Sequence, residues 1–221
     1  MSMQAVRKFF KIFLFTILAI GLTIAVFLLY ATSISPNAVV FQKDKLNKIN
    51  QNLVINDTYG NEMEDTLFTK NSIPVKFATL KDYTKDAFVV TEDKRFYEHN
   101  GIDPKRMAGA ILKNLKSFSL KEGASTISQQ LIKNSHLSNE KSFTRKLNEM
   151  KLSLILENNY TKDEILEMYL NITYLGEGNY GIQAASQHYY HIDAIDLNKQ
   201  QSEVLVKTLK RPSIYNPSKI N

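Results

Sequence analysis

Two carboxylates, two permanent cations and a run of hydroxyls and amides fall in three short clusters of this chain. They are Glu92 to Gly101 (EDKRFYEHNG), Gly123 to Gln130 (GASTISQQ) and Arg145 to Glu149 (RKLNE). A helical reading of residues 91–99 would put Glu92, Phe96 and His99 on one face at i, i+4 and i+7. An acid lodged beside an aromatic can have its proton affinity raised by desolvation, which suits a general base. The same residues also read as a solvated acid in a charged turn. In the second cluster Thr126, Gln130 and Lys133 repeat the spacing, offering a hydroxyl, an amide and a cation to phosphate oxygens or sugar hydroxyls. Gly123 and Ala124 permit close backbone approach, and a helix N-terminus there would favour an anion. The plainer alternative is an N-capped helix with Ile127 and Leu131 turned inward. Arg145 and Glu149 stand at i and i+4, which alone is a surface ion pair worth ~0.3–0.5 kcal/mol.

Other chemistries find less support. His99, His136, His188 and His191 show no metal-ligand spacing backed by carboxylates, so no metal site is expected. Gly176, Gly178 and Gly181 lack the leading strand and the spacing of a phosphate loop, and read as a turn. There is no cysteine, which excludes disulfides and thiolate metal sites. The net charge of +6 is locally concentrated: Arg7, Lys8 and Lys11 supply three of the charges, which argues against a nucleic-acid partner.

The elements that must position the clusters follow from hydropathy and punctuation. Residues 12–31 form 20 consecutive uncharged positions, enough at ~1.5 Å per residue to cross ~30 Å of hydrocarbon. A cleaved signal peptide has a shorter apolar core and a small-residue site, which Ala31-Thr32-Ser33 matches poorly. The basic residues ahead of the span place residues 1–11 in the cytoplasm and the bulk outside, which in a bacterium is the periplasmic face of the inner membrane. Residues 32–73 read as a linker with a short strand pair over 53–68, and 74–221 as a mostly helical domain.

Asp103-Pro104 opens a helix whose apolar side carries Met107, Ala108, Ile111, Leu112, Leu115 and Phe118. Its other side is basic, with five Lys or Arg and no acid between 105 and 121. That pattern suits an anionic membrane surface, and equally a core-facing helix with a solvated basic face. Further helices are expected from Phe143 to about Glu157, after the capping pattern Thr161-Lys-Asp-Glu164, through Ala185 and Tyr189, and from about Lys199 to Leu209 before Pro212.

Taken together and in order, the clusters resemble glycosyltransferase family 51, the lipid-linked peptidoglycan polymerases. The first resembles that family's E-D-x-x-F-x-x-H-x-G box, the second G-x-S-T-I-x-Q-Q, and the third R-K-x-x-E. Lys162 to Asn171 resembles K-x-x-I-L-E-x-Y-L-N, and Pro212 to Pro217 resembles the closing P-x-x-Y-N-P. The resemblance implies a mainly α, lysozyme-like two-lobed domain behind one N-terminal transmembrane helix, with a small membrane-touching lobe where the basic helix lies. It implies a reaction joining lipid II units through β-1,4 bonds, with inversion and release of undecaprenyl pyrophosphate. Glu92 would be the catalytic base and Glu149 the second essential acid. Lys133 and Arg145 would neutralise the leaving pyrophosphate, and Asp93, Phe96, His99, Ser125, Thr126, Gln129 and Gln130 would shape the substrate groove.

No cofactor is implied for the chemistry itself, although a divalent cation (Mg or Mn) near the pyrophosphate would be compatible. The implied partners are lipid II, the lipid-linked nascent glycan, the membrane and other cell-wall synthesis proteins. Residues Val54 to Gly60 are reminiscent of the start of bifunctional penicillin-binding proteins. As given, the chain reads as the glycosyltransferase part alone, and the N-terminal part of a bifunctional protein would read the same. Two departures stand out: Ser128 where Thr is common, and a basic run from Lys207 to Arg211.

Overall fold

The computed structural model describes residues 39–49, 73–117, 123–137 and 142–219, with isolated positions 11, 15, 16, 21 and 22. The strand pair expected at 53–68 and nearly all of the span expected at 12–31 lie outside them. Among the described residues no helix is long and apolar enough to cross a membrane.

The described part is mainly α. Its helices are α1 (Lys43–Ile49), α2 (Asp82–Glu92), α3 (Pro104–Ser117), α4 (Ile127–His136), α5 (Phe143–Asn159), α6 (Lys162–Ile172), α7 (Ile182–Tyr190), α8 (Lys199–Lys210) and the short α9 (Pro212–Tyr215). Their starts follow local chemistry. Thr126, Thr161 and Asn198 each close a reciprocal capping box with the residue three positions on, opening α4, α6 and α8. The one strand-like pairing among the described residues is the bridge Tyr174–Tyr180.

Helix α4 is central, packing against α5 and α6, while α2 lies on α8 and α1 on α6. Leu131 and Ile132 of α4, Leu152 and Leu156 of α5, and Ile165 and Leu166 of α6 are almost entirely removed from water, as is Phe88 of α2. At ~1.5–3 kcal/mol per such side chain, this core fixes the frame on which the three clusters are mounted. A buried hydroxyl pair, Thr84 and Ser202 at 2.9 Å, ties α2 to α8.

Helix α3 is different, since it forms no extensive pairing among the described elements. Ile111 and Leu112 on its apolar side are exposed, and only Ala110 reaches the buried class. The core-facing alternative for this helix therefore fails over its described part.

Two turns depend on glycine. Gly101, at φ +85°, would place a Cβ 2.6 Å from the Ser153 carbonyl oxygen, and Gly181, at φ +84°, one 2.4 Å from that of Asn171.

Candidate active site

Glu92 is the last residue of α2, and the helical reading of residues 91–99 does not hold. Asp93 leaves helical geometry at φ −157°, ψ 75°, and only a single 3₁₀ turn, Phe96–Glu98, follows. The break has a tertiary cause. The Asp93 carboxylate, 1% exposed, accepts from the Ile127 backbone N–H at 3.0 Å and pairs with His99 Nε2 at 2.9 Å. Arg106 of α3 stands 3.6 Å from its other oxygen. The N-terminus of α4, expected to greet a substrate anion, is thus already met by this internal one. The first cluster is wired to the second through Asp93.

Glu92 faces a cleft of about 1050 Å³ and is 8% exposed. Its Oε2 accepts from Gln130 Nε2 at 3.1 Å, and its backbone carbonyl accepts from Arg106. Its Oε1 is buried with no hydrogen-bond partner, and the carboxylate forms no salt bridge among the described residues. Glu149, 2% exposed, lines the same cleft in opposite surroundings. Arg145 donates to its Oε2 at 3.1 Å and Lys146 to its Oε1. Lys146 also reaches Ser125 Oγ at 2.8 Å, joining the second cluster to the third. The Arg145–Glu149 pair is therefore no surface pair, and removing one member of such a buried arrangement costs about 3–5 kcal/mol.

The remaining site candidates divide between wall and scaffold. Ser125, Gln130 and Lys133 line the cleft with the two acids, and Lys133 is exposed with no ion pair among the described residues. Phe96, His99, Thr126 and Gln129 are buried and absent from the lining. Thr126 spends its hydroxyl on structure: it accepts from the Gln129 N–H at 3.1 Å and donates to the Gly101 carbonyl at 2.6 Å. Phe96 sits under the Lys162 ammonium, 4.5 Å from the ring centroid, and that ammonium donates to the His99 carbonyl at 2.5 Å. Arg145 reaches the site through Glu149 and is not in the lining.

Sequence reasoning missed several groups. Lys146 carried a readable signal, since it stands at i, i+3 to Glu149. Arg106 carries no signal beyond its place on the basic side of α3; its partners Glu92 and Asp93 lie in the preceding cluster. Lys210 and Arg211, at the end of α8, also line the cleft. Among the described residues seven Lys or Arg line it against three acids. Two of those acids are closed by cations, Asp103 by Arg95 and Glu149 by Arg145 and Lys146. Such a cleft attracts an anionic ligand.

Among the described residues no cluster of three or more His, Cys, Asp or Glu is placed to hold a metal ion, and both Glu149 oxygens are engaged by cations.

A family profile described as Transglycosylase matches residues 59–221. Penicillin-binding protein 1F of Bacillus subtilis is 44% identical over 161 residues, which cover 73% of this chain and 22% of that protein. Penicillin-binding protein 1A of Clostridium perfringens is 39% identical over 220 residues, covering 97% of this chain and 32% of that protein. Penicillin-binding protein 1A/1B of Bacillus subtilis is 44% identical over 166 residues, 75% of this chain and 18% of that protein. The chain thus spans less than two thirds of the length of each of these relatives.

Proposed function

The chain belongs to the transglycosylase family, glycosyltransferase family 51, and from that premise we propose that it polymerises lipid II into peptidoglycan glycan strands. The nascent strand, carried on undecaprenyl pyrophosphate, is the donor, and lipid II supplies the attacking 4-hydroxyl. The acceptor proton passes to Glu92. The freed oxygen attacks the anomeric carbon opposite the pyrophosphate, giving a β-1,4 bond with inversion. The observation that carries this reading is the contrast between two acids on one cleft: among the described residues Glu92 has no cation on its carboxylate, and Glu149 has two.

That contrast divides their work. A base must be able to take up a proton, and the unpartnered Glu92 Oε1 is the oxygen for it. Glu149, neutralised by Arg145 and Lys146, instead holds those cations in place. Lys133, in the cleft lining, then meets the charge that develops on the departing pyrophosphate, with Arg145 and Lys146 acting from behind through Glu149; fixed cations in a partly desolvated site need little reorganisation there. Asp93, Phe96, His99, Thr126 and Gln129 act behind the wall, holding the Glu92 loop against α4.

The lysozyme-like two-lobed arrangement, the transmembrane anchor and the external catalytic face complete the reading. In support, Ile111 and Leu112 are exposed on basic helix α3 at the edge of the cleft, as contact with a lipid surface requires. Lipid II, the lipid-linked glycan, the membrane and other wall-synthesis proteins are the partners this reading assigns. The test is incubation of the detergent-solubilised chain with labelled lipid II. A ladder of polymer that a β-1,4-muramidase collapses is the expected product. Absence of polymer together with fragment release from purified sacculi would replace this reading with a lytic one.

A further inference from the structure

Glu92 is held through one amide, and what holds that amide lies outside the three clusters. Tyr169 of α6 is 0% exposed, so its phenol is wholly enclosed by the core. Its Oη lies 3.2 Å from Gln130 Oε1, and Gln130 Nε2 lies 3.1 Å from Glu92 Oε2. An amide offers an acceptor at one end and a donor at the other, so its orientation decides which end meets the carboxylate. Turned the other way, the Gln130 oxygen would confront a carboxylate oxygen, acceptor against acceptor. The carboxylate, an acceptor only, rules that out, and the Tyr169 hydroxyl completes the arrangement by donating to the amide oxygen that then faces it. Burial pushes the Tyr169 pKa far up, with the charges of Glu92 and Asp93 adding to it. The phenol stays protonated throughout the working range.

Resting on the reading of Glu92 as the base, we infer that Tyr169 is a positioning residue. By donating to Gln130 Oε1 it holds in place the amide that donates to Glu92 Oε2. Two consequences follow. One carboxylate oxygen is fixed in direction by a donor. The other, Oε1, is left without a partner and is therefore the one that receives the acceptor's proton. Tyr169 belongs to the Lys162–Asn171 segment, whose other polar members do structural work. Asn171 bonds both backbone groups of Val75, and Glu167 accepts from the Phe77 N–H at 2.6 Å. Tyr169 is the member of that segment turned toward the catalytic acid.

The test is Tyr169→Phe, which keeps the ring and removes the hydroxyl, measured as kcat and KM of polymerisation. We expect kcat to fall about tenfold with KM nearly unchanged, the scale of one lost hydrogen bond behind a charged group. In a Gln130→Met background, which has no amide to orient, Tyr169→Phe should cost no further activity. That comparison also serves if the single variant folds poorly. A kcat within twofold of the parent, beside an inactive Glu92→Gln, would overturn this positioning role while leaving the base intact. A further loss on adding Tyr169→Phe to Gln130→Met would overturn it as well. Activity in Glu92→Gln would instead sink the underlying reading of the site.

Discussion

Asp93→Ala tests whether that carboxylate is the joint between the first two clusters. In the folded protein it meets the Ile127 N–H at 3.0 Å, His99 Nε2 at 2.9 Å and Arg106 at 3.6 Å, and it is 1% exposed. Truncation leaves two enclosed donors without an acceptor, at about 1–3 kcal/mol each, and strips Arg106 of its closest carboxylate. We expect a loss of about 3–5 kcal/mol in all, the range for breaking a buried charged pair. With a urea dependence of about 2 kcal/mol per M, the unfolding midpoint should fall by about 1.5–2.5 M with little change in slope. Asp93→Asn keeps the volume and one acceptor, so it should recover part of that loss. The assay is urea unfolding of the detergent-solubilised chain followed by helical circular dichroism. A loss below about 1 kcal/mol for Asp93→Ala would mean that the α4 N-terminus and the Glu92 loop are held by something else.

Gly101→Ala should destabilise the fold by more than the ~1 kcal/mol of an ordinary alanine at positive φ, because the added Cβ meets the Ser153 carbonyl oxygen at 2.6 Å; a melting temperature equal to the parent's would contradict this. Lys133→Ala should lower polymerisation by about 10²–10³-fold while changing stability by less than ~0.5 kcal/mol, since its ammonium is exposed and unpaired among the described residues. Burial pushes the His136 pKa below its ordinary 6.5; the Gln42 carbonyl opposes the shift and the Lys45 ammonium reinforces it. The unfolded chain then takes up a proton before the folded one does, so this group's contribution falls as pH drops below 6.5 and levels off below the lowered folded value. Unfolding midpoints from pH 7 to pH 5 should therefore decline more steeply in the parent than in His136→Gln, and equal slopes would contradict the assignment.

Much of the frame was legible because its determinants are local. The capping pattern Thr161 to Glu164 opens α6 as read, and the helix begun at Asp103-Pro104 is capped by the Asp103 carboxylate, 2.8 Å from the Arg106 N–H. The ordered boxes identified the family, and Glu92 and Glu149 face one cleft. What escaped reading depends on partners far along the chain. Helicity past Glu92 was lost to the Asp93 contact with Ile127, 34 positions on. The Gln130 amide is held by Tyr169, 39 positions on, and neither side chain announces that contact in its own segment. Thr126 reads in the sequence either as a hydroxyl for a ligand or as the start of an N-capped helix, and the cap is what the fold uses. A hydroxyl at a helix start has its first claimant in the backbone.

The most direct measurement sets the parent beside Glu92→Gln on labelled lipid II, with products separated by gel and both proteins matched in melting temperature. Gln keeps the shape of the side chain, and its amide is no base for the acceptor's proton. The account predicts a ladder of long glycan from the parent and none from the variant. Comparable ladders from both would contradict Glu92 as the base and, with it, the division of labour between the two acids.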